Sequence, residues 1–317
     1  MSATTENIAL LAARLADGEL VAVPTETVYG LAGDARRDDV VAAIFAAKGR
    51  PAANPLIAHY LDVDAAGRDA QLDARARALA ERFWPGPLTL VASRTATCAV
   101  CQRASAGLAT IAVRCPDHPA TRTLLQACGF PLVAPSANPS GELSPVTAGH
   151  VAERLGDRID WILDGGRTRR GVESTVVDVS VDPPEILRAG TVTREALIAA
   201  VGDVGESGGG GDAPRAPGSA FRHYAPRCPV LLGPPPEGAP DEALVTFGSA
   251  PAPAGYGTVM NLSECGDLEE AAANLFAVLH ELEAQGVRRI RVVPIPDEGV
   301  GRAINDRLRR AAEASRA

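Results

Sequence analysis

Aromatic residues are scarce in this chain: Phe, Trp and Tyr make up 4% of 317 residues, and methionine occurs twice. Aliphatic side chains and alanine must therefore fill the core, and the aromatic platforms on which RNA readers stack bases are not evident. Excess positive charge is lacking too. The net charge of −8 argues against strong direct nucleic-acid binding, which needs a basic face. No apolar run approaches the ~20 residues of a membrane span. The start, Met1-Ser2-Ala3-Thr4-Thr5-Glu6, has neither the basic nor the apolar block of a secretory signal. A cytoplasmic protein with no membrane partner is expected. Also missing are a G-x-x-x-x-G-K-[ST] loop, a GxSxG elbow and an HExxH pair, so neither a covalent nucleophile nor a zinc site suggests itself. Cys98 and Cys101 form a CxxC, but no second pair completes a four-ligand site. The six cysteines are read as idle thiols of a reducing compartment, with no metal ligands assigned.

What is present describes an ordinary globular chain, 46% hydrophobic and 22% charged, long enough for two domains. Ile8, Leu11 and Leu15 share a helical face that Gly18 closes. Leu20–Val23 reads as a buried strand running into Pro24-Thr25-Glu26-Thr27. Asp38 or Asp39 is expected to cap the helix that ends at Lys48. Strands are predicted at 56–60, 88–92, 110–114, 132–134, 159–163, 174–179 and 185–187, with helices at 74–83, 119–127, 146–155 and 194–200 between them. That alternation indicates a layered α/β fold. Residues 202–217 hold the run Gly208–Gly211 with Pro214 and Pro217, a tether composition. Beyond it, strands at 230–232, 243–247, 257–260 and 290–293 and helices at 268–282 and 300–312 make a second, small α/β unit. The division expected is 1–202, a linker at 203–227, and 228–317.

Lys48-Gly49-Arg50-Pro51 places two cations where glycine and proline stop a helix. A point charge beside a planar fork suits a polyphosphate, although basic residues also close helices by complementing the dipole. Both side chains are expected to be free to face a cleft. Small hydroxyls, amides and single cations recur at other strand ends: Thr25, Thr27, Asn54, His59, Thr110, Arg114, Ser136, Asn138, Ser144, Ser174 and Arg188. Each alone is an ordinary turn. Together they argue for one polar cleft at the carboxyl ends of the strands.

These segments carry a resemblance. Pro24-Thr25-Glu26-Thr27-Val28-Tyr29-Gly30, Lys48-Gly49-Arg50-Pro51 with Asn54-Pro55-Leu56-Ile57 and His59, Phe83-Trp84-Pro85-Gly86-Pro87-Leu88-Thr89, Ala112-Val113-Arg114, Ala134-Pro135-Ser136-Ala137-Asn138, Asp164-Gly165-Gly166, Glu173-Ser174-Thr175 and Ile186-Leu187-Arg188 resemble the YrdC-like family over nearly all of residues 10–200. Pro217-Gly218, His223-Tyr224-Ala225-Pro226 and the second unit resemble its longer, two-domain threonylcarbamoyl-AMP synthases. The resemblance implies a twisted mixed-sheet domain with a concave cationic cleft, followed by a small Rossmann-like α/β domain. It implies the reaction of L-threonine, bicarbonate or carbon dioxide, and ATP to L-threonylcarbamoyladenylate and pyrophosphate. That adenylate feeds the machinery that modifies adenosine next to the anticodon of certain tRNAs.

By the family's pattern Lys48 and Arg50 would hold carboxylate or phosphate charge, and Asn54, Thr110, Ser136, Asn138, Ser144 and Arg188 would surround ATP. Thr27, His59, Arg114, the backbone at Ala134, and Ser174 would hold L-threonine. Tyr224, in the linker, would reach back onto the nucleotide. Magnesium would ride on the phosphates, held by phosphate and water rather than by a protein cage. Lys48→Ala and Arg50→Ala are expected to cost turnover with little change in stability. One departure stands out: Ser219 replaces the methionine usual in relatives, which puts the packing of the linker in doubt. A non-catalytic RNA-binding protein is the alternative reading, and a carbamoyl-transferring domain like that of hydrogenase maturation proteins is a third.

Overall fold

The computed structural model of the chain describes residues 1–2, 4–207, 224–233 and 237–314. The first unit runs through helix α1 (Thr5–Asp17), strands β1 (Val21–Val23) and β2 (Gly30–Asp34), α2 (Asp38–Lys48), β3 (Ile57–His59), α3 (Val63–Asp69), α4 (Ala74–Phe83), β4 (Leu88–Ser93) and β5 (Thr110–Arg114). It continues with α5 (Pro119–Cys128), β6 (Leu132–Val133), α6 (Ala148–Leu155), β7 (Trp161–Ile162), β8 (Thr175–Asp178), β9 (Glu185–Arg188), α7 (Arg194–Val201) and β10 (Gly205–Glu206). The second unit holds β11 (Val230–Leu232), β12 (Glu242–Thr246), β13 (Thr258–Asn261), α8 (Leu268–Ala284), β14 (Arg289–Val292) and α9 (Gly301–Ala314).

The first ten strands form one mixed sheet in the order β10-β9-β8-β4-β5-β3-β6-β2-β1-β7. The last four form a separate sheet, β11-β14-β12-β13, with every pair parallel. The expected two-unit α/β architecture is therefore present. Two details differ. Gly205 and Glu206 pair with β9 and so extend the first sheet into the stretch expected to be linker. Residues 208–223, with the glycine run and Ser219, lie outside the described residues.

Local chemistry accounts for the element ends. Thr4, Asp62, Asp73, Thr147, Thr193 and Asp267 each accept from the first turn of the helix they precede. Helix α2 departs from expectation: its N-cap is Arg37, whose side chain makes no capping bond, and Asp38 and Asp39 sit in the first turn, where they complement the dipole. Val40, Val41, Ile44 and Phe45 bury the inner face of α2, worth roughly 1.5–3 kcal/mol each relative to exposure. The helix lies so close to β2 that a Cβ on Gly33 would come within 2.6 Å of Val40 Cγ1. Glycine is required by that approach.

One apolar cluster joins the two units. Val28, Leu143, Val146 and Val172 of the first pack with Leu275, Phe276, Leu279, Ile304 and Leu308 on α8 and α9 of the second. Polar contacts reinforce the seam. His150 and His280 stack with ring centroids 3.8 Å apart, and Arg154 on α6 bonds both Glu142 and Glu283. No described helix is long and apolar enough to cross a membrane.

Candidate active site

The carboxyl ends of β1, β3, β5 and β9 and the loop after β6 meet at a partly open cavity of about 40 Å³. Its wall includes Thr27, Arg50, His59, Arg114, Ala134, Ser136, Glu173, Arg188 and Tyr224. Eight of those nine are expected site residues; Glu173 is not. Three arginines and one carboxylate thus face a common space.

The loop after β1 is shaped by Thr25. Its hydroxyl donates to the Val28 carbonyl at 2.6 Å and accepts from the backbone N–H of Thr27 and Val28, a local turn that a hydroxyl side chain supports. Thr27 is thereby held against Arg114, whose guanidinium donates to its hydroxyl at 3.0 Å and to Glu26 at 2.5 Å. Glu26 and Arg114 are both almost fully buried, and the other carboxylate oxygen of Glu26 accepts from the Asp117 N–H. Beside them, the His59 Nδ1–H donates to the Ile57 carbonyl. Burial, and then the neighbouring Arg114 charge, push the His59 imidazole down to about 3, so the ring is neutral at physiological pH.

On the opposite wall, Arg50 follows the left-handed turn at Gly49 and donates to the carbonyls of Asn54 and Pro55 at 3.0 and 2.8 Å. Burial lowers its affinity for a proton to about 10, with Arg188 adding to the effect and Tyr224 opposing it; Arg50 remains cationic at pH 7. Arg188, at the end of β9, donates to the Ser174 carbonyl and hydroxyl at 3.1 and 3.0 Å. Ser174 in turn shares a hydroxyl bond of 2.8 Å with Thr89.

Lys48 is placed differently from expectation. It is 2% exposed and absent from the cavity wall. Its ammonium donates to the backbone carbonyls of Ser136 and Asn138, clamping from behind the loop that presents Ser136. Burial lowers the Lys48 proton affinity well below the usual lysine range. Of the two cations at the helix end, only Arg50 faces the cavity.

Asn54, Asn138, Ser144 and Ser174 lie one contact outside the wall. Asn54 receives Arg50, the Asn138 N–H donates to the Ser136 carbonyl, Ser174 holds Arg188, and Ser144 donates its hydroxyl to Glu173. The side-chain oxygens of Asn54 and Asn138 are buried without a hydrogen-bond partner among the described residues. Thr110 is neither on the wall nor bonded to it; it opens β5, paired with Ser93. Two carboxylates, Glu26 and Glu173, are not among the residues expected from the sequence, where hydroxyls and cations mark the site. Each stands directly beside an expected residue, Thr27 or Ser174, and that adjacency was the available signal.

The donor set does not fit a protein-held metal. No cluster of three or more His, Cys, Asp or Glu side chains suited to one occurs among the described residues, and the wall carboxylate Glu173 is engaged by Ser144 and Arg307.

Comparison with known proteins agrees over both units. A family model described as telomere recombination, covering Sua5, YciO and YrdC proteins, matches residues 13–190. A second, described as threonylcarbamoyl-AMP synthase, C-terminal domain, matches residues 192–313. A threonylcarbamoyl-AMP synthase of Bacillus subtilis is 40% identical, over 98% of this chain and 94% of that protein. One of Pyrococcus abyssi is 39% identical, over 96% and 94%. The crystal structure of P. abyssi Sua5 complexed with L-threonine superposes with a TM-score of 0.89 at 38% identity, over 98% of this chain and 95% of that one. The chain belongs to the Sua5, YciO and YrdC family and carries the C-terminal domain of its threonylcarbamoyl-AMP synthase members.

Proposed function

We propose that this protein is a threonylcarbamoyl-AMP synthase, a nucleotidyltransferase that joins L-threonine, bicarbonate or carbon dioxide, and ATP into L-threonylcarbamoyladenylate with release of pyrophosphate. The observation that carries the reading is the wall itself. Thr27, His59, Arg114, Ser136, Arg50 and Arg188 converge on one cavity in a chain similar along its whole length to the P. abyssi protein crystallised with L-threonine.

In the step proposed, a carbamate oxygen of N-carboxylated threonine attacks the α-phosphorus of ATP, and the bond to the bridging oxygen of pyrophosphate breaks. Nucleophile and phosphate carry the same sign of charge. The residues therefore have to neutralise, align and exclude water more than to transfer protons. Arg114 pairs with the threonine carboxylate, Thr27 and neutral His59 orient the amino acid, and the backbone at Ala134 and Ser174 complete its site. Arg50 and Arg188 take the phosphate charge, and Asn54, Ser136, Asn138, Ser144 and Tyr224 surround the nucleotide. Lys48 acts through the Ser136–Asn138 loop. ATP enters as its magnesium complex, with the ion on phosphate and water.

A cavity of about 40 Å³ is far smaller than the roughly 300–1,000 Å³ of ligand pockets. Substrate entry therefore requires the wall to part, and the Tyr224 side is where the chain returns from the linker. The product supplies the machinery that transfers threonylcarbamoyl to tRNA, in the cytoplasm. RNA binding without catalysis is less well supported, because the cavity arginines are largely buried and form no exposed basic face. Purified protein with ATP, magnesium and bicarbonate is expected to release pyrophosphate only when L-threonine is added, and chelating the magnesium is expected to stop it. Turnover equal to the no-threonine blank rejects the reading.

A further inference from the structure

Arg307 belongs to the second unit, on α9, yet it is 1% exposed and its Nε donates at 2.9 Å to Glu173, a carboxylate of the cavity wall. We infer that Arg307 is a positioning residue of the active site: it fixes the Glu173 carboxylate and the Tyr224 ring, two groups of the wall to which Arg188 also belongs. The inference rests on the proposed synthase reading and adds to it a residue from outside the catalytic domain.

Three features argue for it. The first is occupancy of both Glu173 oxygens from outside the cavity: Oε2 accepts from Arg307, and Oε1 accepts from the Ser144 hydroxyl. The carboxylate cannot turn without breaking one of these bonds. The second is the fixing of Arg307 itself. Its Nη1 donates to the Ala189 carbonyl at 2.7 Å and to Asp306 at 2.9 Å. Ala189 precedes Gly190, which runs so close to β8 that a Cβ there would meet the Thr175 nitrogen at 2.2 Å. The anchor is thus tied to the backbone that carries Glu173 and Ser174. The third is the Tyr224 ring, whose centroid lies 5.2 Å from the Arg307 guanidinium carbon, within cation–π range. Tyr224 is itself on the wall, buried, with φ of 65°, a left-handed conformation that a bulky residue holds only when its surroundings enforce it.

Three charged groups are buried on this side of the site: Arg307 and Glu173, which are paired, and Arg188, which shares the cavity wall with Glu173. Burial favours the neutral form of Glu173, and Arg307 followed by Arg188 outweighs that, holding the carboxyl below its usual range. For Arg188, burial lowers the proton affinity; Tyr224 and then Glu173 oppose that effect, while Arg307 adds to it. Together the three keep a net positive charge for phosphate. Lysine could supply the charge of Arg307 but not the fork that reaches Glu173 and Ala189 together.

The test compares R307M and R307K with the wild-type full-length chain by pyrophosphate release, with kcat and KM for ATP and for L-threonine. R307M is expected to lower kcat at least tenfold, with a smaller change in KM for L-threonine, while circular dichroism shows a folded protein. R307K is expected to fall between the two. In R307M the Glu173 carboxyl, followed by carbon NMR against a Glu173→Gln reference, is expected to bind its proton at least tenfold more tightly than in wild type. A folded R307M with wild-type kcat, or with an unchanged Glu173 titration, overturns the inference. If R307M does not fold, R307K decides it, and a kcat within twofold of wild type overturns it. If wild type releases no pyrophosphate, the synthase reading fails, and the Glu173 titration still decides whether Arg307 controls that carboxylate.

Discussion

Arg114 donates to Glu26 at 2.5 Å with both side chains almost completely out of water. A buried pair of this kind is costly to break from one side, because the charge left behind has no solvent to turn to. Glu26→Gln is therefore expected to lower unfolding free energy by about 3 kcal/mol, measured by urea titration. It is also expected to raise KM for L-threonine more than KM for ATP, since Arg114 loses the group that aims it. Equal shifts in both KM values would detach Glu26 from the amino-acid site.

For Lys48 the sequence-based expectation of lost turnover with little lost stability needs revision. Lys48→Ala removes the donor from two backbone carbonyls, those of Ser136 and Asn138. An unsatisfied buried polar group costs about 1–3 kcal/mol, so a thermal-unfolding experiment should find Lys48→Ala less stable by at least about 2 kcal/mol. A variant with wild-type stability and no activity would return Lys48 to a direct role on substrate.

These two residues show where sequence reading reaches and where it stops. Helix ends, strand positions and the polar loops at strand ends were legible because periodicity and turn chemistry are local. Strand β2 was not, since its sequence, Gly30-Leu31-Ala32-Gly33-Asp34, is buried at all five positions and shows no alternation. Its glycines look like loop, but Gly33 is there to admit helix α2. The direction in which Lys48 points was illegible for a related reason. Its partners are carbonyls 88 and 90 residues away, and carbonyls leave no mark on residue type. Arg307 reached the site across 134 residues, from a helix whose amphipathic pattern assigns it only to a core.

Acidification should loosen the fold from about pH 6.5 downward. His59 and His280 are both buried and held neutral, each lowered to about 3 chiefly by burial. A folded value below the unfolded one gives stability that is complete above the unfolded value and is lost as pH falls toward the folded value. By pH 5 the loss amounts to about 2 kcal/mol for each ring. His280→Gln keeps a donor for the Ser144 carbonyl, which the ring meets at 3.1 Å, but cannot take up a proton. Its urea midpoint is expected to fall less between pH 7.5 and pH 5 than that of wild type. Parallel curves for the two proteins would exclude His280 as a source of the pH dependence.

Removing residues 204–317 is expected to do more than slow turnover. Val28, Leu143, Val146 and Val172 pack against the second unit, and Arg154 loses Glu283. The truncated chain should bind a hydrophobic dye, elute partly as aggregate on size exclusion and unfold at lower temperature. A monodisperse fragment with full activity would contradict both the shared core and the role of Arg307.

The joint core also has a consequence for the order of events during synthesis. Chains emerge amino-terminus first at roughly 5–20 residues per second, so the ten-stranded sheet is complete for several seconds while Arg307 is still inside the ribosome. In that interval Glu173 lacks the Arg307 guanidinium, and the wall at Tyr224 is unmade. The newborn first unit is a sheet with an open, unfinished pocket, and competence arrives with the last helix.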